Sequence, residues 1–244
     1  MTTADPRTVA LFVTCLADLM RPEIGFAAAE LIERAGFVVA VPRQGCCGQP
    51  NYNAGDRVGA RAIAKAAIAA LEPFAVIVVP SGSCGGMIAK HYPTLFEPTD
   101  PWAARAISVA GRTMELTQFL HAHPPAEVPR SALGKAFYHD SCSALREMKI
   151  HDGPRALLKT HADVELTTIP EPEVCCGFGG LFCVKYPEIA DRMAQDKCEA
   201  IVASGAETLI SGDLGCLLNI GGRLARMGSP IRTLHIAEAL AGAS

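Results

Sequence analysis

Cysteines at positions 15, 46, 47 and 84 are followed by a second set at 142, 175, 176 and 216. Successive intervals are 31, 1 and 37 residues in the first set and 33, 1 and 40 in the second. Independent scatterings of cysteine rarely agree so closely, so the chain reads as an internal duplication. The flanking text repeats as well. TVALFVTC (8–15) matches GKAFYHDSC (134–142), FVVAVPRQGCCG (37–48) matches VELTTIPEPEVCCG (164–177), and FAVIVVPSGSC (74–84) matches AETLISGDLGC (206–216). In each pair a β-prone run ends just before a cysteine.

Helix-like segments separate these runs. Residues 22–36, 55–73 and 187–205 place apolar residues at helical spacing and end near glycine or proline. Strand–helix alternation predicts α/β halves built on parallel sheets. Val9–Val13 and Val76–Val79 are apolar on both faces, as central parallel strands are. In such sheets ligands gather beyond the carboxyl ends of the strands, where both cysteine sets fall. Residues 100–123 are expected to be helical and to close the first half. Residues 231–241 are expected to supply the matching capping helix, with a Pro- and Ala-rich linker at 119–135.

Composition narrows the function classes. The 244 residues are 50% hydrophobic and 19% charged, with a net charge of −3. That balance gives no electrostatic case for nucleic acid or an anionic membrane. The longest apolar runs are far short of the ~20 residues that cross a bilayer, and the N-terminus lacks signal-peptide character. The expectation is a cytoplasmic chain with no integral membrane contact. Its ten cysteines, kept reduced there, then serve metal or redox chemistry rather than disulfides.

Four thiolates converging from three loops suit zinc or an iron–sulfur cluster. The spacing matches neither a zinc finger nor the compact run of small ferredoxins. Adjacent cysteines can serve neighbouring metal atoms, which is natural for a cluster and awkward for a single ion. Gly48 and Gly177 allow a tight turn after each pair. Cys15, Cys46, Cys47 and Cys84 form the first candidate site; Cys142, Cys175, Cys176 and Cys216 form the second. Cys183 is read as a free thiol before a spare ligand or redox partner, and Cys198 as core. His139 and Asp140 precede Cys142 and are read first as structural, with hydrogen bonding to the metal group as the alternative. Neither a GxGxxG fingerprint after the first strand nor a P-loop is present.

GCCGQP (45–50), PSGSCGGM (80–87), CCGFGG (175–180) and GCLLNIGGR (215–223) together resemble the cysteine-rich CCG-domain family. The resemblance spans essentially the whole chain and lies nearest the lactate utilisation protein A group. It extends to the iron–sulfur protein of glycolate oxidase and to the catalytic component of heterodisulfide reductase. It implies two Rossmann-like CCG domains, over residues 1–124 and 125–244. It also implies one or two clusters of [4Fe-4S] type, with zinc as the alternative in one half. The implied role is that of a component in oxidation of L-lactate to pyruvate, independent of NAD and acting beside B-like and C-like partner proteins. Glycolate oxidation, disulfide reduction and a zinc-braced assembly role are the rival readings. In the heterodisulfide reductase branch each motif ends in a CxxC. Met87 and Asn219 stand at those positions here, leaving four candidate thiolates per site rather than five.

Overall fold

The computed structural model describes residues 7–242; the outer ends of the two expected domains, 1–6 and 243–244, lie outside the described residues. Among the described residues eight strands form two sheets. In chain order they are β1 (Thr8–Leu11), β2 (Val38–Ala40), β3 (Val76–Val79) and β4 (Thr113–Glu115), then β5 (Ser131–His139), β6 (Ala162–Thr167), β7 (Thr208–Ser211) and β8 (Arg232–His235). The first sheet runs β2-β1-β3-β4 and the second β6-β5-β7-β8, every pairing parallel. The central strands β1 and β3 are almost wholly buried, as apolar residues on both faces require. The expected duplicated α/β architecture is the one the chain adopts.

Helices return the chain between parallel strands. Glu23–Arg34 buries Ile24, Ala28, Leu31 and Ile32 along one stripe. Arg57–Leu71 starts at Asp56, whose side chain accepts the Gly59 N–H at 2.9 Å and so satisfies an otherwise unpaired donor. Its partner in the second half is Pro187–Ala203. One apolar core runs through both halves and joins Leu31, Phe119 and Leu120 to Leu133, Leu158 and Leu240. Each such side chain contributes about 1.5–3 kcal/mol by burial. Arg21 adds a charged clasp, bonding Glu238 at 2.8 Å and the Thr233 carbonyl at 3.0 Å.

Three sequence expectations are corrected. Residues 100–123 are not one helix: Pro101–Ala110 stops, β4 pairs with β3, and a second helix runs from Leu116 to Ala122. Glu115 ends the strand and restarts the helix through a capping box with Gln118. Residues 231–241 likewise divide into β8 and a short helix, Ile236–Leu240, capped by His235 and Glu238. The linker is shorter than 119–135, because helix persists to Ala122 and β5 begins at Ser131. Among the described residues no helix is long and apolar enough to cross a membrane.

Candidate metal centres

Each cysteine of the two quartets lies beyond the end of a strand. Beyond β1, Thr14 accepts the Ala17 N–H at 3.3 Å and opens a helix whose first residue is Cys15. Beyond β5, Ser141 accepts the Ala144 N–H at 3.3 Å and opens a helix at Cys142. Beyond β3, Ser81 caps the helix carrying Cys84, and beyond β7 Asp213 caps the one carrying Cys216. The adjacent pairs follow β2 and β6. Gly48 and Gly177, at φ +86° and +88°, turn the chain through the left-handed region that glycine adopts without strain. Their N–H groups donate back to Cys46 Sγ at 3.3 Å and Cys175 Sγ at 3.4 Å.

The sulfurs form the same chain twice. Cys15 meets Cys46, Cys46 meets Cys47, and Cys47 Sγ lies 3.2 Å from Cys84 Sγ. Cys142 meets Cys175, Cys175 meets Cys176, and Cys176 meets Cys216. The Cys15 and Cys47 thiols hold Cys46 far below the ordinary thiol range by hydrogen bonding to its thiolate, while Cys15 and Cys47 are themselves pushed up. Cys142 and Cys176 do the same for Cys175. In both halves the second sulfur of the pair and the downstream cysteine are buried, and the other two are more open. The carbonyl after each pair is anchored: Tyr92 donates to Cys47 O at 2.9 Å, and Asn219 Nδ2 donates to Cys176 O at 2.7 Å. The third position after Cys216 is thus engaged in holding backbone.

Both quartets open onto one cleft between the halves. A cavity of about 180 Å³ covers the first and one of about 210 Å³ the second. Gln49, Ser83, Phe178, Gly180 and Asp213 line both. Asp213 ties the halves together, accepting from Ser81 Oγ at 3.1 Å and the Ser83 N–H at 2.9 Å. Among the described residues no lysine or arginine lines either cavity. His91 lines the second cavity and bonds Glu147 at 3.2 Å. Close approach of the halves requires Gly82, where a Cβ would stand 2.6 Å from the Ala144 Cβ.

The surroundings of the quartets differ. Counting back from Cys15 and Cys142 sets Phe12 opposite His139, and Val13 opposite Asp140. Gly48 packs on Ala60 and Ile63, and Gly177 on Ala190 and Met193, which sets Ala67 opposite Lys197 and Ile68 opposite Cys198. His139 is fully buried with neither ring nitrogen bonded. Burial lowers its pKa to about 4. A ring nitrogen of His139 and the sulfurs of Cys176 and Cys216 lie within 4.8 Å of one another. Asp140 pairs with Arg155 at 2.6 and 2.9 Å, and Lys197 Nζ donates to Pro172 O at 3.0 Å.

Cys183 is half-buried and bonds the Gly180 carbonyl at 3.7 Å, outside the sulfur chain; Cys198 is core, as expected. Sequence reasoning missed Asp213 and Lys197. The repeat alignment carried both signals, since Asp213 stands opposite the cap residue Ser81 and Lys197 breaks an otherwise apolar helical stripe.

The cysteine-rich domain pattern called CCG matches residues 9–89 and again 136–221. The chain belongs to the CCG cysteine-rich domain family. A lactate utilization protein A from Geobacillus kaustophilus (strain HTA426) is 45% identical over 234 residues, covering 95% of this CCG chain and 98% of that protein. The Oceanobacillus iheyensis protein of the same name is 39% identical, with 95% and 96% covered. A crystal structure of a hypothetical protein from Helicobacter pylori overlays with a TM-score of 0.71 at 12% identity. It covers 98% of this chain, which spans about half (49%) of that one; the likeness is one of fold.

Proposed function

We propose that this chain is an iron–sulfur protein acting in L-lactate utilisation, serving oxidation of lactate to pyruvate beside B-like and C-like partner proteins in the cytoplasm. The observation that carries the reading is the sulfur chain Cys15–Cys46–Cys47–Cys84 and its copy Cys142–Cys175–Cys176–Cys216, in a chain whose relatives are named for lactate utilization. Four soft donors around a half-buried concavity fit an iron–sulfur cluster, and in each quartet hydrogen bonds from neighbouring thiols favour the thiolate of the first paired cysteine. When bound, such a group supplies one-electron storage. The chain's own residues place it: strand ends fix the sulfurs, the anchored carbonyls of Cys47 and Cys176 orient the pairs, and the buried members exclude water.

The cleft favours electron transfer over lactate chemistry on this chain. A carboxylate substrate is held best by arginine or lysine, and the two cavities offer Asp213 and Glu147 instead. Lactate binding is therefore assigned to a partner. Disulfide reduction on a five-cysteine cluster is disfavoured, because Met87 is buried core and Asn219 is occupied with Cys176. Zinc in the second half is kept as the other reading, since His139 adds nitrogen to the donors there.

Iron and acid-labile sulfide measured on protein purified without oxygen test the reading. Roughly four of each per occupied site supports it, and a colourless protein with no sulfide refutes it. A lactate-dependent reduction assay with and without the partner proteins then tests the substrate.

A further inference from the structure

Resting on the metal-binding reading above, we infer that His139 is a fifth ligand at the second site, its imidazole nitrogen bound to the same metal atom as Cys176 and Cys216. His139 ends β5 and is completely buried, yet neither Nδ1 nor Nε2 has a hydrogen-bond partner. A buried polar group left unpaired destabilises a fold by about 1–3 kcal/mol, and buried orphans call for a specific explanation. Packing does not provide one. At the same register in the first half Phe12, equally buried, fills the space with no polar atom at all.

The neighbours that could have bonded the ring are engaged elsewhere. Asp140 forms a two-pronged pair with Arg155, and Lys197 donates to the Pro172 carbonyl. The main chain at His139 is pinned by Ser211, whose Oγ donates to His139 O at 2.9 Å, so the ring is presented from a fixed strand end. What it faces is sulfur. Its nitrogen makes no hydrogen bond to either thiol, while all three ligand atoms lie within 4.8 Å of one another. Zinc–nitrogen and zinc–sulfur bonds of about 2.0–2.1 and 2.3 Å place donors on one metal roughly 3.5–4 Å apart. With no more than 4.8 Å between any two of them, the three atoms lie near the spacing that one metal requires. The same geometry serves iron or zinc, because imidazole and thiolate bind both.

The second site then offers four sulfurs and one neutral nitrogen, and the first offers four sulfurs alone. The two halves, alike in backbone, hold their metals in different donor sets.

The test is X-ray absorption on the full chain isolated without oxygen, at the iron and zinc edges, in wild type and in a Cys47→Ser variant that empties the first site. Nitrogen at about 2.0–2.1 Å, strengthened relative to sulfur in the Cys47→Ser protein, is expected. His139→Phe, which copies Phe12, should remove that shell and weaken metal retention at the second site by at least about 10–100-fold, on the order lost with outer-shell partners. Metal present at the second site with a sulfur-only shell in wild type overturns the inference and leaves the metal-binding reading standing. Absence of any bound metal overturns both. The wild-type spectrum decides even if His139→Phe fails to fold.

Discussion

The two cysteine quartets share a backbone and differ in what lies beneath it. Around the first, Phe12, Val13 and Ala67 present hydrocarbon. Around the second, the same registers carry His139, Asp140 and Lys197, all buried or nearly so. The caps at Thr14 and Ser141, both at 3.3 Å, and the turn donors at Gly48 and Gly177, at 3.3 and 3.4 Å, agree to within 0.1 Å, and the order of the sulfurs is the same. Duplication therefore held the cysteines fixed while the surroundings diverged. In a low-dielectric interior a charge or dipole acts strongly on a neighbouring metal group, so the polar set around the second quartet is where two similar centres become different ones.

Independence of the quartets is the most direct way to break this comparison, and it carries the largest effect. Cys176→Ser should remove the metal of the second half, about half of the total if both sites fill, and leave the first half loaded. Cys47→Ser should do the reverse. Metal per chain, measured on both variants, checks this. If either substitution empties both sites, the halves form one joint centre and the contrast drawn above fails.

A second contrast concerns the caps that end β4 and β8. Glu115 and His235 occupy equivalent positions, both are buried, and each leaves one polar atom unpartnered. Burial raises the Glu115 carboxyl from 4.5 to about 7 and lowers His235 from 6.5 to about 4. The signs oppose. Between pH 4.5 and about 7 the folded chain keeps a proton on Glu115 that the unfolded chain has lost, so this group makes stability fall as pH rises through that window. Unfolded His235 takes up a proton that the folded chain refuses, so its contribution is intact above 6.5 and is lost as pH falls toward 4. Glu115→Gln keeps a capping oxygen and should stabilise the protein by up to about 3 kcal/mol above pH 7, at roughly 1.4 kcal/mol per pKa unit, with no gain below pH 4.5. Urea unfolding at pH 4.5 and 7.5 measures it; equal shifts at both values would refute the titration argument.

The cysteine positions were legible because spacing and strand pattern are both local signals, and they repeat. Strand ends at Leu11, Val79 and Ser211 follow from short apolar runs. The strands β4 and β8 were not legible. Thr113–Glu115 and Arg232–His235 are three or four residues long, adjoin helices, and owe their extended form to pairing with β3 and β7 rather than to their own pattern. The unpartnered state of His139 was only half-legible. Its place before Cys142 suggested proximity, but the absence of any bonding partner depends on where Asp140, Lys197 and Ser211 direct their atoms, which no spacing encodes.

The smallest effect is expected at Cys198, which stands opposite Ile68 on the equivalent helix. It is wholly buried, and its thiol reaches the Ile220 carbonyl at 3.5 Å, a long and weak contact. Burial pushes the thiol up to about 11, so it stays protonated near neutral pH and is a poor ligand and nucleophile. Cys198→Ala should therefore leave metal content unchanged in both halves and lower stability by about 1 kcal/mol, the scale for one buried heavy atom with partial collapse of the site. Thermal unfolding of metal-free protein measures that loss without interference from binding. A fall in metal content at the second site, where Lys197 is the adjoining residue, would mean that this stretch of helix positions the sulfurs and that the divergence of the two quartets reaches their ligands.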